Sequence, residues 1–154
     1  MAYKKGLGEM VKEVQEVRAP NAKKKMLREY GQAEPALVDL LKYAFHPGIK
    51  FLLPETNPPY TPTDKNMDIQ GQMFAEIKRM YIFCEGGIPT LKQARREQLF
   101  IGLLESVDPD DAELLLSIKN RKISGITEEM FRECFPGVLP DTTDSVQKFQ
   151  RASA

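Results

Sequence analysis

The chain has 154 residues, 42% hydrophobic and 29% charged, the mix of one ordinary globular domain with one substantial core. Its 22 basic and 22 acidic side chains cancel, which argues against a histone-like protein held to nucleic acid by bulk charge and leaves room only for a local basic patch. Cys84 and Cys134 are too few for a disulfide scaffold, no apolar run approaches the ~20 residues of a membrane span, and Met1–Lys5 lacks a signal peptide's apolar stretch, so a reduced, cytoplasmic chain is expected.

Leu7, Met10, Val11, Val14 and Val17 recur at helical spacing and predict a first amphipathic helix that stops before Pro20. A second helix is expected from a cap at Asn21. Met26, Leu27 and Tyr30 form its apolar stripe, Lys23, Lys24 and Lys25 its solvated side, and Gly31 its stop. Glu34-Pro35 opens a third helix, because proline is tolerated in a first turn. Leu37, Leu40, Leu41, Ala44 and Phe45 face its core side, and Pro47-Gly48 ends it. His46, the single histidine, lies at that end without a metal-ligand partner at suitable spacing. It reads as a helix-terminal residue beside the negative end of the dipole.

Pro47, Pro54, Pro58, Pro59 and Pro62 exclude regular helix or central strand from residues 47–65. The same stretch holds Ile49, Phe51, Leu52, Leu53 and Tyr60, too many large apolar groups for a free linker. An ordered loop packed across the helices is the expectation. Ile69, Met73, Ile77, Met80, Tyr81 and Cys84 then fall on one helical stripe that Gly86-Gly87 terminates. Thr90 with Gln93 forms a capping-box pattern ahead of Leu99, Phe100, Leu103, Leu104 and Val107. Asp108-Pro109-Asp110-Asp111 is a further start signal, with Leu114, Leu115 and Ile118 as the core side. Gly125 reads as a break, and Thr127 caps a last short helix carrying Met130, Phe131 and Phe135. The pattern predicts a compact all-α domain of about seven helices over residues 1–140, followed by a flexible polar tail at residues 141–154.

No glycine-rich phosphate loop and no histidine network are present, so no catalytic residue, metal site or cofactor is expected. The acid pairs Asp110-Asp111 and Glu128-Glu129 sit at helix starts, where the dipole accounts for them. The stretch Lys119–Thr127 is different. It sets Lys119, Arg121 and Lys122 beside Asn120, Ser124 and Thr127, with Gly125 allowing close backbone approach. A helix then begins with N–H groups that suit phosphate oxygens. Local chemistry leaves two readings level: a helix end that attracts cations, or a phosphate-binding element.

The run Leu114–Pro140, LLLSIKNRKISGITEEMFRECFPGVLP, resembles the end of the N-terminal helical DNA-binding domain of ATP-dependent DNA ligases, in particular the bacteriophage T4-type form. The shared pattern is an apolar helix, a basic corner with glycine, a short helix, then Phe135-Pro136-Gly137-Val138-Leu139-Pro140. Upstream, Leu40–Phe45 with Pro47-Gly48-Ile49-Lys50-Phe51 and Phe100-Ile101-Gly102-Leu103-Leu104 follow in the same order. The ligases' Lys-x-Asp-Gly motif and the acidic residue usual in the basic corner are absent. The resemblance therefore implies a fold and a DNA-facing surface without ligase activity. By position it places double-stranded DNA, gripped by its backbone from the minor-groove side, on Lys119, Asn120, Arg121, Lys122, Ser124, Gly125 and Thr127. Lys42 and the Lys23–Lys25 run are further candidates for the same contact. The expected function is non-enzymatic duplex-DNA binding with little sequence preference. A phage-encoded chain serving replication, repair or host takeover in the cytoplasm of the infected bacterium fits this expectation. The alternative is a protein-interaction adaptor on the same fold, for example for a sliding clamp, favoured by zero net charge and by the acids at residues 105–113 read as exposed.

Overall fold

Residues 6–62 and 72–140 are described in the computed structural model. Among them, seven α-helices and one 3₁₀ helix make up the regular structure: α1 (Leu7–Glu16), α2 (Pro20–Ala33), α3 (Pro35–Phe45), α4 (Gln72–Glu76), the 3₁₀ helix (Ile77–Phe83), α5 (Gln93–Ser106), α6 (Pro109–Lys119) and α7 (Glu128–Cys134). Backbone bridging adds two isolated antiparallel pairs, Phe51 with Cys84 and Ile123 with Ile126. The all-α expectation holds.

α6 sits at the centre because its sequence leaves it little outward face. Ala112, Leu114, Leu115 and Ile118 are buried, and so are Asp110, Asp111 and Lys119 near its two ends. A helix apolar on several sides needs cover on several sides. α1, α3 and α5 each pack against α6, while α2 bridges α1, α3 and α7. One continuous core results, running from Leu7 and Val14 through Leu37, Leu40, Phe100 and Leu104 to Phe131. Each of these side chains contributes on the order of 1.5–3 kcal/mol by leaving water.

Several local expectations are corrected. α2 begins at Pro20 with Ala19 as its cap, not at Asn21, because proline preset to helical φ serves as the first residue. Gly31 does not stop α2. It is buried inside the helix, where a Cβ would lie 2.3 Å from Cε1 of Phe135, so its bareness is a notch for that ring. Thr90 and Gln93 form no capping box: α5 starts at Gln93 after Lys92, without a side-chain cap. Gln93 instead donates to the Leu52 carbonyl and accepts from Arg96.

The single regular helix expected over Ile69–Cys84 is also revised. Ile69 lies outside the described residues, and the segment from Ile77 tightens to 3₁₀ geometry. Three residues per turn stack Ile77, Met80 and Phe83 on the buried side, and Tyr81 swings out to 48% exposure. The proline-rich loop is ordered and packed, as expected, through Phe51, Leu53 and Tyr60. Its residues 63–65 and the tail expected at 141–154 lie outside the described residues. Cys84 and Cys134 are buried free thiols, and burial pushes the Cys84 thiol up to about 11.

Two glycines give a paired test. A Cβ on Gly8 of α1 would lie 2.4 Å from the backbone carbonyl of Asp110, whereas one on Gly102 of α5 meets nothing within 4 Å. Gly8→Ala is expected to lower stability by about 1–3 kcal/mol through overpacking, despite alanine's better helix propensity. Gly102→Ala is expected to raise it by roughly 0.5–1 kcal/mol. Urea unfolding of both variants checks the pair, and equal signs would contradict this packing of α1 on α6.

Candidate functional site

The corner between α6 and α7 is built on a reversal of the chain at the end of α6. The N–H of Lys122 donates to Ser117 O at 3.1 Å, and that of Arg121 to Ile118 O at 2.9 Å. These two bonds define a Schellman ending, and its left-handed residue is Arg121, with φ of 59°. The helix therefore breaks at Arg121, four residues before the expected break at Gly125. A left-handed arginine costs about 1–2 kcal/mol relative to a right-handed one. Its side chain offsets that cost. One guanidinium nitrogen donates to Tyr43 O at 3.2 Å and Ile49 O at 2.7 Å, and the other to His46 O at 2.5 Å. Arg121 thus caps the carbonyl end of α3.

Lys119, two residues earlier, is 6% exposed. Its ammonium donates to the carbonyls of Pro54 (2.8 Å), Glu55 (3.3 Å) and Thr56 (3.3 Å), and to Asn120 Oδ1 at 2.8 Å. Burial lowers the Lys119 pKa from its ordinary value, with the nearby Glu55 opposing. Asn120 is exposed, and its amide donates to Asn57 Oδ1 at 3.1 Å. Two of the three cations expected to contact phosphate thus spend their donors on the protein itself. They fasten the proline-rich loop and the end of α3 to α6.

Beyond Arg121 the chain folds into a tight turn. Ile126 N–H donates to Ile123 O at 3.2 Å, with Ser124 and Gly125 between them. Gly125 has φ of 78°, a conformation that favours glycine. Ile123 and Ile126 are buried and anchor the turn, while Lys122, Ser124, Gly125 and Thr127 are exposed. Lys23 of α2 reaches this turn, its Nζ donating to Gly125 O at 3.0 Å. Thr127 caps α7 by accepting from Met130 N–H at 3.2 Å, as expected. Lys24 pairs with Glu133 at 2.6 Å, and Lys25 is exposed.

The turn forms one wall of an open groove of about 740 Å³. Ala44, Phe45, Ile123 and Ile126 give it an apolar floor, and Lys122, Ser124, Thr127 and Glu128 stand at its lining. Sequence reasoning missed Ala44 and Phe45, since nothing in their spacing relates them to a turn some eighty residues away, and it accounted for Glu128 by the helix dipole alone. Lys42 lies elsewhere: it lines a separate hollow with Tyr43, Tyr81 and Cys84. The structure thus joins Lys23 to the corner and leaves Lys42 apart.

His46 caps α3, as expected, but not as a cation complementing the dipole. Its Nδ1 accepts from the N–H of Gly48 at 2.9 Å, which requires an unprotonated nitrogen there. Burial first, then the charges of Lys42, Arg121 and Arg132, lowers its pKa from the ordinary 6.5.

Fold and corner define a small all-helical domain with an exposed glycine turn beside an open groove. The chain belongs to the family of unknown function DUF6433, whose match covers residues 10–125, from α1 through the corner turn. No curated protein matches the chain. Among the described residues, no helix is long and apolar enough to cross a membrane.

Arg121 and His46 supply two tests. Arg121→Ala loses the carbonyl bonds and keeps the left-handed backbone, whereas Arg121→Gly loses the bonds but relieves the backbone. Both should destabilise, the alanine variant by about 1 kcal/mol more, and equal losses in thermal unfolding would refute the left-handed assignment. His46 should titrate below 6.5 in an NMR pH series. The unfolded chain takes up this proton first on acidification, so the stability owed to neutral His46 is present above the ordinary value and lost as pH falls through the folded one.

Proposed function

We propose that this chain is a non-enzymatic, duplex-DNA-binding protein that grips the phosphate backbone with little sequence preference. The observation that carries the proposal is the exposed Lys122–Thr127 turn, held rigid by buried Ile123 and Ile126 and joined by Lys23 from α2. A turn offering two cations and small hydroxyl groups, with glycine allowing close approach, suits phosphate oxygens. The resemblance of Leu114–Pro140 to the DNA-facing end of the ligase domain supports the same surface. On this reading the reachable contacts are Lys122, Ser124, Gly125, Thr127 and Lys23, with Asn120 beside them. Lys119 and Arg121 hold the turn in place. A role in phage replication, repair or host takeover within the bacterial cytoplasm belongs to the same proposal.

A second reading is a protein-interaction adaptor, for a sliding clamp or another replication protein. The apolar floor of Ala44, Phe45, Ile123 and Ile126, with Glu128 in the lining, supports it. Recovery of a bound protein that survives nuclease treatment favours this second reading, and nuclease-sensitive recovery favours DNA.

Gel shifts of duplex DNA across a salt series test the first reading. Each lost phosphate contact should flatten the slope of log affinity against log salt by about 0.9. The double variant Lys23→Glu/Lys122→Glu should therefore bind more weakly on every sequence, with the slope reduced by about 2. Unchanged low-salt affinity in a folded double variant removes the corner from consideration as the DNA surface.

A further inference from the structure

Asp111 lies in the first turn of α6, pressed against the start of α1, with 1% of its surface exposed. Its Oδ1 accepts from the N–H of Gly8 at 2.7 Å. Its Oδ2 is buried with no hydrogen-bond partner. The charged groups facing it come from both helices. Asp108 and Asp110 stand on the α6 side, both buried, and Glu9 on the α1 side. Lys12 of α1 also enters this contact, but its ammonium goes to Asp110 at 2.6 Å and to Glu113 at 2.9 Å. The packing is close enough that Gly8 has no room for a Cβ beside the Asp110 carbonyl.

A carboxylate in this position is pulled two ways. The positive end of α6 and the Gly8 N–H favour its charge. Loss of water around it, the half-unsatisfied carboxylate and the neighbouring acids oppose it. Lys12 relieves Asp110 and Glu113 without reaching Asp111.

We propose that Asp111 is an acid-sensitive latch between α1 and α6: protonation removes a buried charge from among like charges and seats the first turns of α1, and ionisation loosens them. Desolvation, the largest influence, and the acids Asp108, Asp110 and Glu9 raise the carboxyl pKa from 3.8 to about 6, with the Gly8 N–H opposing. In that window the folded chain holds a proton that the unfolded chain has released. The corresponding stability is full below the unfolded value and is lost as pH rises through about 6. This dependence runs opposite to that of His46 and is independent of what the α6–α7 corner binds.

The test uses the full chain. Carboxyl-carbon NMR should give an Asp111 midpoint near 6. Amide exchange at Met10 and Val11, corrected for intrinsic rates, should show protection at least roughly tenfold lower at high than at low pH, the factor one unit of pKa difference supplies. In Asp111→Asn, which keeps an oxygen acceptor for Gly8, that pH dependence should vanish. A wild-type midpoint at or below the ordinary ~3.9 overturns the latch, as does equal protection at both pH values or a folded Asn variant with the wild-type dependence. The wild-type titration and exchange decide the matter if the variant does not fold.

Discussion

The structure depends on two cations at the carboxyl end of α6, the buried Lys119 and the half-buried Arg121. Lys119 and Arg121 each reach across the chain to backbone carbonyls, Lys119 to residues 54–56 and Arg121 to Tyr43, His46 and Ile49. The last carbonyls of a helix have no partners of their own, and a proline-rich loop cannot form a ladder. Both segments would leave polar backbone atoms unsatisfied against the core. A hydrogen bond to a charged donor contributes about 1.5–3 kcal/mol net, more than a neutral one. Two such donors on one helix end fix an irregular loop and a helix terminus to the central helix at once. The left-handed backbone at Arg121 follows from this, because it turns the chain out of α6 while aiming the guanidinium at α3.

The opposite end of α6 is made by acids, and the two ends are not equivalent. Asp108 caps the helix by accepting from Asp110 N–H, and Lys12 reaches Asp110 from α1. The cations at the carboxyl end are multiply bonded to carbonyls, whereas Asp111 keeps one oxygen without a hydrogen bond. Dipole complementarity describes the sign of the residues at both ends. It does not describe the balance at either, which is set by how many partners each buried charge finds. The difference places the tolerance of α6 at its loop-facing end and its strain at the α1 contact.

Much of the helical framework was legible because periodicity and caps are local. The stripes of α1 and α3, the Asp108 and Thr127 caps, and the packed proline-rich loop all follow from spacings within one element. The misreadings share a different cause. Gly31 has the residue type of a stop, yet Phe135, more than a hundred positions away, uses it as a notch. Ile77, Met80 and Tyr81 fit a 3.6-residue stripe, but stacking at three residues per turn lets Ile77, Met80 and Phe83 fill the core together. Asp108, Asp110 and Asp111 have the composition of an exposed acidic surface, yet α1 and the core cover them, which withdraws three of the acids that favoured an adaptor. Arg96 gave no signal, although it is 5% exposed and donates to the Ile82, Ile88 and Leu91 carbonyls. Each revision depends on packing or bonding between elements, which spacing within one element does not carry.

The corner shows the same limit where it matters for function. In sequence, Lys119, Arg121 and Lys122 are three adjacent cations, alike in their fitness for phosphate. In the fold only Lys122 points its charge to solvent, and the others are bonded to the protein itself. A surface with Lys122 and Lys23 as its principal cations neutralises about two phosphates. On counterion-release arithmetic this gives a shallow salt slope, near −2 rather than the −6 to −9 of proteins with many phosphate contacts. DNA binding through this turn alone would therefore be weak and local, consistent with zero net charge. Its contribution would come from geometry: a turn fixed by Ile123 and Ile126 costs little ordering on contact, so two cations and two hydroxyls meet the backbone already placed. Lys119 and Arg121 are what make that placement possible, by holding the end of α6, the end of α3 and the loop together beneath the turn.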